Sequence, residues 1–210
     1  MRGLCVCVFA LCVALVVPAS ASTLYTNGPY GLAYADYPIN EGYSVTDSFT
    51  VTGDATMTGF DFLAWNVSTD EDVSVEWSIG TSPYANDVAS GDATGLTDVY
   101  IDESTSYPGN YRYMDTATGL DVSLVAGTTY WFTLQDSVGS AVDGDGNPDL
   151  ETWDVDYGPS TAYHSSSGLD PATSNMFDIN GDPVVPEPGS VALIGCGILA
   201  LAGALRRKTR

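Results

Sequence analysis

The loop at residues 143–151 contains the sequence's clearest set of metal-ligand side chains. Ca²⁺ prefers about six to eight oxygen ligands, and carboxylate and amide oxygens supply them in proteins. Gly144 and Gly146 would let the chain curl around an ion, since glycine tolerates tight backbone conformations. The pattern indicates a candidate Ca²⁺ site with ligands at alternate positions: Asp143, Asp145, Asn147, Asp149 and Glu151.

This loop departs from the EF-hand pattern, so a second interpretation stays open. Pro148 occupies the position at which an EF-hand loop needs glycine, and the bidentate acid expected at its end would be Asp154, which is shorter than glutamate. No helical pattern flanks the loop. A solvated acidic turn between two strands is the alternative to a metal site.

Aromatic residues near this loop suggest sugar binding as another candidate chemistry. Trp153 follows the acidic loop directly, and we predict it to be an exposed ring on which a sugar could stack. Trp77 and Trp131 lie inside alternating strands, and we expect them to fill the core instead.

Signals for catalysis are weak in this sequence. His164 is the only histidine, and no nucleophile-elbow motif accompanies its neighbouring serines. Paired carboxylates for glycoside hydrolysis are available among many acids, but no pair stands out. We therefore expect a protein that is not an enzyme and has no catalytic residues.

The charge of the chain is concentrated in its middle region. Of the 27 acidic residues, all but Glu187 lie between Ser22 and Asp182, where Arg112 is the only basic residue. Such a surface repels nucleic acid and anionic lipid, which are bound through Lys and Arg. The same region has no cysteine, so neither disulfides nor thiolate metal sites stabilise it.

Hydrophobic residues of the middle region alternate with polar ones, which predicts strands rather than helices. Glycine-, proline- and aspartate-rich turns separate these runs at short intervals. The pattern predicts an all-β fold, a single antiparallel β-sandwich of jelly-roll-like type. The strand candidates are residues 44–51, 57–67, 72–79, 110–114, 120–125, 129–135, 152–157 and 175–179.

The first 21 residues have the layout of a secretory signal peptide. Arg2 supplies the positive charge, residues 4–17 form the apolar helix, and residues 19–21 (Ala-Ser-Ala) give a small-residue cleavage site. We expect cleavage before Ser22. The sequence thus divides into a signal peptide at 1–21, an acidic β-sandwich at 22–182 and a C-terminal segment at 183–210.

The C-terminal segment combines three features in order. A proline-rich connector comes first, then an apolar run at residues 191–205, then a basic tail at residues 206–210. As a helix the run would span about 22 Å, short of the roughly 30 Å hydrocarbon core of a bilayer. Thinning of the bilayer or snorkelling of the basic side chains would make up the difference. The positive-inside rule places the tail in the cytoplasm.

This segment resembles a PEP-CTERM sorting signal. The resemblance implies recognition by an exosortase, a membrane protease, in a Gram-negative bacterium that makes exopolysaccharide. It also implies export through the Sec translocon, transient membrane insertion through the C-terminal helix, and cleavage near the Pro-Glu-Pro triplet. The matching residues are Val185, Pro186, Glu187, Pro188, Arg206, Arg207 and Lys208.

We therefore expect an exported protein of the cell envelope or extracellular matrix. Its leading interpretation is non-enzymatic: an acidic β-sandwich bridged by Ca²⁺ to exopolysaccharide. A carbohydrate-binding module that uses exposed Trp or Tyr rings is the alternative, and a glycosidase comes third.

Overall fold

The fold is all-β, as predicted. The computed structural model describes residues 22–28, 36–67, 72–103, 108–141, 150–155, 158–164 and 170–184. Thirteen strands occupy these residues: β1 (Ser22–Thr26), β2 (Asp36–Pro38), β3 (Ser44–Thr50), β4 (Ala55–Val67), β5 (Asp72–Gly80), β6 (Ala89–Thr94), β7 (Thr97–Glu103), β8 (Asn110–Leu124), β9 (Thr129–Gly139), β10 (Thr152–Asp154), β11 (Ala162–His164), β12 (Asp170–Ala172) and β13 (Phe177–Pro183).

The strands form two antiparallel sheets in a sandwich-like arrangement. The first sheet contains seven strands, in the order β1-β13-β4-β10-β2, with β8 pairing with β4 and β7 pairing with β8. The second has six, in the order β12-β11-β3-β9-β5-β6. All pairings within the described residues are antiparallel, as the alternating sequence pattern predicts.

Aromatic rings from both sheets fill the space between them. Phe60 of β4 lies 4.9 Å, centroid to centroid, from Phe132 of β9. Trp153 of β10 contacts Phe132 and Phe177 edge-on, at 5.7 Å from each. Each such ring removes a large apolar area from water, which is the main favourable term in folding. The core is therefore built from large rings, consistent with a region that has no disulfides.

The longest pairing joins β4 to β8, which the sequence predicted as two separate strands, residues 110–114 and 120–125. Both belong to one strand, because β4 pairs with β8 from Ala55 to Val67. The register shifts between Met57 and Gly59. A Cβ at Gly59 would lie 2.3 Å from the carbonyl oxygen of Ala117, so the two backbones approach closely only because Gly59 lacks a side chain.

The remaining predicted elements have mixed outcomes. Strands β1, β2, β6, β7, β11 and β12 were not predicted. Of predicted strand 152–157, β10 covers residues 152–154 and Val155 forms an isolated bridge with Asn175, while residues 156–157 lie outside the described part of the chain. The signal helix and the C-terminal apolar helix lie outside the described residues. Within the described ranges, no helix has the length and hydrophobicity needed to cross a bilayer.

Candidate functional site

Four acidic side chains contact one another in the sandwich, and we call them the buried carboxylate row: Asp72, Asp98, Asp115 and Glu151. They come from four elements: β5, β7, β8 and the segment that leads into β10. Asp115 and Glu151 have no exposed surface, Asp72 has 2%, and Asp98 is half-buried. Burial of several acids together is unusual, because a charged group rarely enters the interior unpaired.

The carboxyl groups of the row contact one another in sequence. Asp98 and Asp115 are directly paired across β7 and β8, and their carboxyl groups are within hydrogen-bonding reach. The Asp72 carboxyl reaches both Asp115 and Glu151. The Ser137 hydroxyl donates to Asp72 Oδ1 at 3.2 Å. No donor reaches Asp72 Oδ2, Asp98 Oδ1 or either carboxyl oxygen of Asp115.

The proton affinity of the row follows from this arrangement. Burial raises the pKa of Asp115 to about 12, and the neighbouring charges of Asp72 and Asp98 add to the effect. Burial also raises the pKa of Asp72 above its ordinary value. As they stand, the described Asp, Glu, His and Cys side chains include no group of three or more arranged around an ion position. The buried, mutually facing carboxyl groups of the row thus disfavour their own charged forms.

A second buried acid, Asp154, lies on the other face of the first sheet. It accepts a hydrogen bond of 2.5 Å from Trp65 Nε1. Arg112 Nη1 is 3.7 Å from its carboxylate, and Arg112 also forms a bidentate pair with Asp102. Burial raises the pKa of Asp154 to about 7, while the bond from Trp65 and the charge of Arg112 oppose that rise. Arg112 Cζ lies 5.5 Å from the centroid of the Trp65 ring, within range of a cation–π contact. This cluster lies on the outer face of the first sheet.

The predicted calcium loop is only partly visible. Asp143, Asp145, Asn147 and Asp149 lie outside the described residues. Glu151 is described and has no exposed surface, so it does not lie on a solvated turn. Its carboxyl contacts Asp72 of β5 instead. The structure thus groups Glu151 with acids that are distant in sequence.

The prediction that Trp153 is an exposed stacking ring is wrong. Its side chain has no exposed surface, and its indole Nε1 donates to the carbonyl oxygen of Met176 at 2.7 Å. The ring packs between Phe132 and Phe177 because β10 lies inside the first sheet, between β4 and β2. A sugar has no access to it.

The structure presents a different tryptophan on the outer face of the second sheet. Trp131 was expected in the core, but it alternates with the inward-facing Tyr130 and Phe132 and is only half-buried. Its ring lies 5.6 Å from that of Tyr163 on β11. Trp131 is therefore the tryptophan to consider for ligand contact.

The same second sheet borders a polar cavity. Its volume is about 300 Å³, and Glu76 and Asp92 face one another across β5 and β6 at its edge. Gln135 Nε2 donates to Glu76 Oε2 at 3.0 Å. Tyr84, at the opposite wall, has a positive φ of 59°, a conformation that costs energy for a residue with a side chain. Carboxylates, amides and a phenol ring in one cavity are suited to a polyhydroxylated ligand.

Comparison with known proteins identifies the C-terminal segment. The family model for the PEP-CTERM protein-sorting motif matches residues 184–208. This range covers all the sorting residues that the sequence predicted: Val185, Pro186, Glu187, Pro188, Arg206, Arg207 and Lys208. Apart from Val184, the matched residues lie outside the described part of the chain.

No curated protein sequence matches the chain. The motif indicates an exported protein that an exosortase processes and that associates with the cell envelope. The chain is thus a β-sandwich that carries a PEP-CTERM protein-sorting motif at its C-terminal end.

Proposed function

We propose that the protein is a non-enzymatic component of the cell envelope or extracellular matrix. The Sec translocon exports it, an exosortase processes it, and its acidic sandwich is bridged by Ca²⁺ to an anionic exopolysaccharide. The observation that carries this proposal is the sorting motif at residues 184–208. The motif directly follows β13, whose neighbour Val184 still donates its backbone N–H to the Asp54 carbonyl oxygen at 2.7 Å.

The charge of the sandwich supports the bridging step. A region with 26 acids and one basic residue repels an anionic polysaccharide unless divalent cations lie between the two. Bridging of this kind needs many exposed carboxylates and no shaped pocket. It therefore predicts polysaccharide association that a chelator abolishes and added Ca²⁺ restores.

Mass spectrometry of the mature protein from its native host tests the sorting step. We expect the mature species to begin at Ser22 and to lack the apolar run and the basic tail. Replacing Pro186 and Pro188 by alanine should leave the C-terminus uncleaved, whereas Pro183→Ala, just upstream of the motif, should be processed normally. A mature protein that retains Arg210 would contradict the proposal.

Carbohydrate binding is a second candidate function, and the outer face of the second sheet favours it. The half-buried pair of Trp131 and Tyr163 offers aromatic surface, and the polar cavity near Glu76 offers hydrogen-bonding groups. Aromatic stacking with polar groups alongside is the chemistry that recognises a sugar ring.

Binding of the purified host polysaccharide in the presence of a chelator separates the two candidates. A carbohydrate-binding module should bind without Ca²⁺ and lose affinity roughly fivefold on Trp131→Ala, because a stacked ring contributes about 1 kcal/mol. Tyr100→Ala is the matched control, since Tyr100 is an exposed aromatic residue (55%) on the first sheet. Binding that requires Ca²⁺ and ignores Trp131 supports the bridging role.

A further inference from the structure

We propose that the buried carboxylate row binds one divalent cation, Ca²⁺, between the two sheets. The inference concerns a site inside the sandwich and does not rest on the proposed role at the envelope. It differs from the loop predicted from sequence, because three of its four acids, Asp72, Asp98 and Asp115, lie on strands β5, β7 and β8. Only Glu151 is shared with that loop.

The first argument is the set of buried oxygens that no donor reaches. Native proteins pair nearly all buried polar atoms, so each exception needs an explanation. Asp115 is fully buried, and both of its oxygens lack a donor while they face the carboxyl groups of Asp72 and Asp98. The Asp115 carboxyl group is directed at other hydrogen-bond acceptors. A cation is a partner that satisfies several of these buried oxygens at once.

The second argument is the supply of positive charge within the sandwich. Lysine is absent between Ser22 and Asp182, and Arg112 is the only arginine there. Its guanidinium forms ion pairs with Asp102 and Asp154, outside the row. A buried carboxylate without a counter-charge is costly. Protons or a bound metal ion are the ways left to neutralise the row.

The third argument concerns the identity of the ion. Carboxylate and hydroxyl oxygens are hard ligands, which select Ca²⁺ or Mg²⁺ over softer metals. Mg²⁺ keeps several waters, whereas Ca²⁺ accepts carboxylates directly and tolerates irregular geometry. The row offers oxygens from four carboxyl groups and the Ser137 hydroxyl, and all of its acids except the half-buried Asp98 are enclosed by protein. These properties favour Ca²⁺.

Binding adds its free energy to folding, because only the folded chain brings these four acids together. As the structure stands, no three of the described acids are arranged to hold an ion, so the carboxyl groups of the row must turn toward one position as Ca²⁺ binds. The measurable consequence is a rise in thermal stability.

The test uses the full chain in detergent, stripped of metal with a chelator. Added Ca²⁺ should raise the melting temperature by about 5–10 °C when its concentration is about a hundred times the dissociation constant. Titration calorimetry should resolve one ion per chain that binds more tightly than any ions on the exposed acids. Mg²⁺ at equal concentration should have a clearly smaller effect.

Two substitutions locate the ion. Asp115→Asn keeps the shape of the side chain and should abolish the Ca²⁺-induced rise, while Asp121→Asn, exposed on the same strand β8, should keep it. If Asp115→Asn does not fold, the effect of Ca²⁺ on the melting temperature of the wild-type chain still tests the proposal. A melting temperature unchanged by millimolar Ca²⁺ would overturn the proposal and leave the row as a proton-bound cluster.

Loss of polysaccharide bridging does not bear on this site, because bridging depends on exposed acids. If Asp115→Asn removes the stabilisation but leaves Ca²⁺-dependent polysaccharide association intact, the internal site stands and the two effects are separate. If Ca²⁺ stabilises both variants equally, the ion binds elsewhere and the inference is wrong.

Discussion

Asp47 and Asp115 are both aspartates without exposed surface, yet their surroundings are opposite. The Asp47 carboxylate accepts hydrogen bonds from the backbone N–H groups of Asn175, at 2.7 Å, and Ser48, at 2.8 Å. The Asp115 carboxyl faces two other acids. Burial raises the pKa of Asp47 to about 7, against about 12 for Asp115. The donors around a buried acid, and not its depth alone, decide whether it can carry charge.

Removing Asp47 should produce the largest loss of stability among these tests. Asp47→Ala leaves the buried backbone N–H of Asn175 without its acceptor, and the Asn27 side-chain amide loses a weaker contact at 3.4 Å. We expect the free energy of unfolding to fall by about 3 kcal/mol. Urea denaturation followed by tryptophan fluorescence measures it, and a change below about 1 kcal/mol would contradict the assigned role.

The pH-dependent contribution of each of two buried acids should be the next largest effect. The folded-state pKa values of Asp47 and Asp154, each about 7, lie above the ordinary value of 3.8. These two groups therefore take up protons on folding, so they stabilise the protein fully below about pH 4 and lose that contribution as pH rises through about 7. We expect each group to add about 2 kcal/mol of stability as the pH falls from 7 to 5.

Thermal unfolding at several pH values in chelator tests this expectation. The increase of the Asp47→Ala variant should be about 2 kcal/mol smaller than that of the wild type, because one contributing group is gone. A wild-type protein that is less stable at pH 5 than at pH 7 would contradict the raised folded-state pKa values.

The smallest effect is expected for Asp115→Asn in the absence of metal. Asp115 is neutral at pH 7, and asparagine offers the same shape and a donor to its acidic neighbours. The free energy of unfolding should change by less than about 1 kcal/mol in chelator. Equilibrium denaturation measures it. A loss as large as that of Asp47→Ala would remove the contrast between the two sites.

The strands that the sequence predicted are those with one buried face. In β5, Val75, Trp77 and Ile79 alternate with polar residues, and these apolar residues belong to the core. Strands such as β6 (Ala89–Thr94) and β7 (Thr97–Glu103) are largely exposed, so they carry no alternating pattern to detect. The sequence therefore indicates the sandwich but not its edges.

The tryptophans show a further limit of prediction from the sequence, because burial of a side chain depends on what covers each face of its strand. Alternation in β9 places Tyr130, Phe132 and Leu134 on one face, so simple register counting would have assigned Trp131 to the other. No such count applies to Trp153, since all three residues of β10 are buried. Both faces of this strand are covered, a fact that depends on the packing of distant segments.

The buried carboxylate row was beyond prediction for a topological reason. Asp72, Asp98 and Asp115 resemble any other acid in a chain with 27 of them. They meet because the register of β7 on β8 sets Asp98 opposite Asp115 and the second sheet brings Asp72 above them. The spacing of these residues in the sequence does not indicate that they meet. The sorting motif is contiguous, so the sequence alone was enough to predict it.

The position of β13 has a mechanical consequence. This strand lies between β1 and β4, with pairs from Phe177 to Pro183 on β4 and from Asp178 to Gly181 on β1. A load that is applied beyond Val184 in the direction of this strand would act on β13 first. Such a load acts on both ladders in shear, so many hydrogen bonds resist together instead of opening one at a time. Attachment through the C-terminal segment would thus reach the domain through an interior strand of its first sheet, a placement suited to withstanding tension.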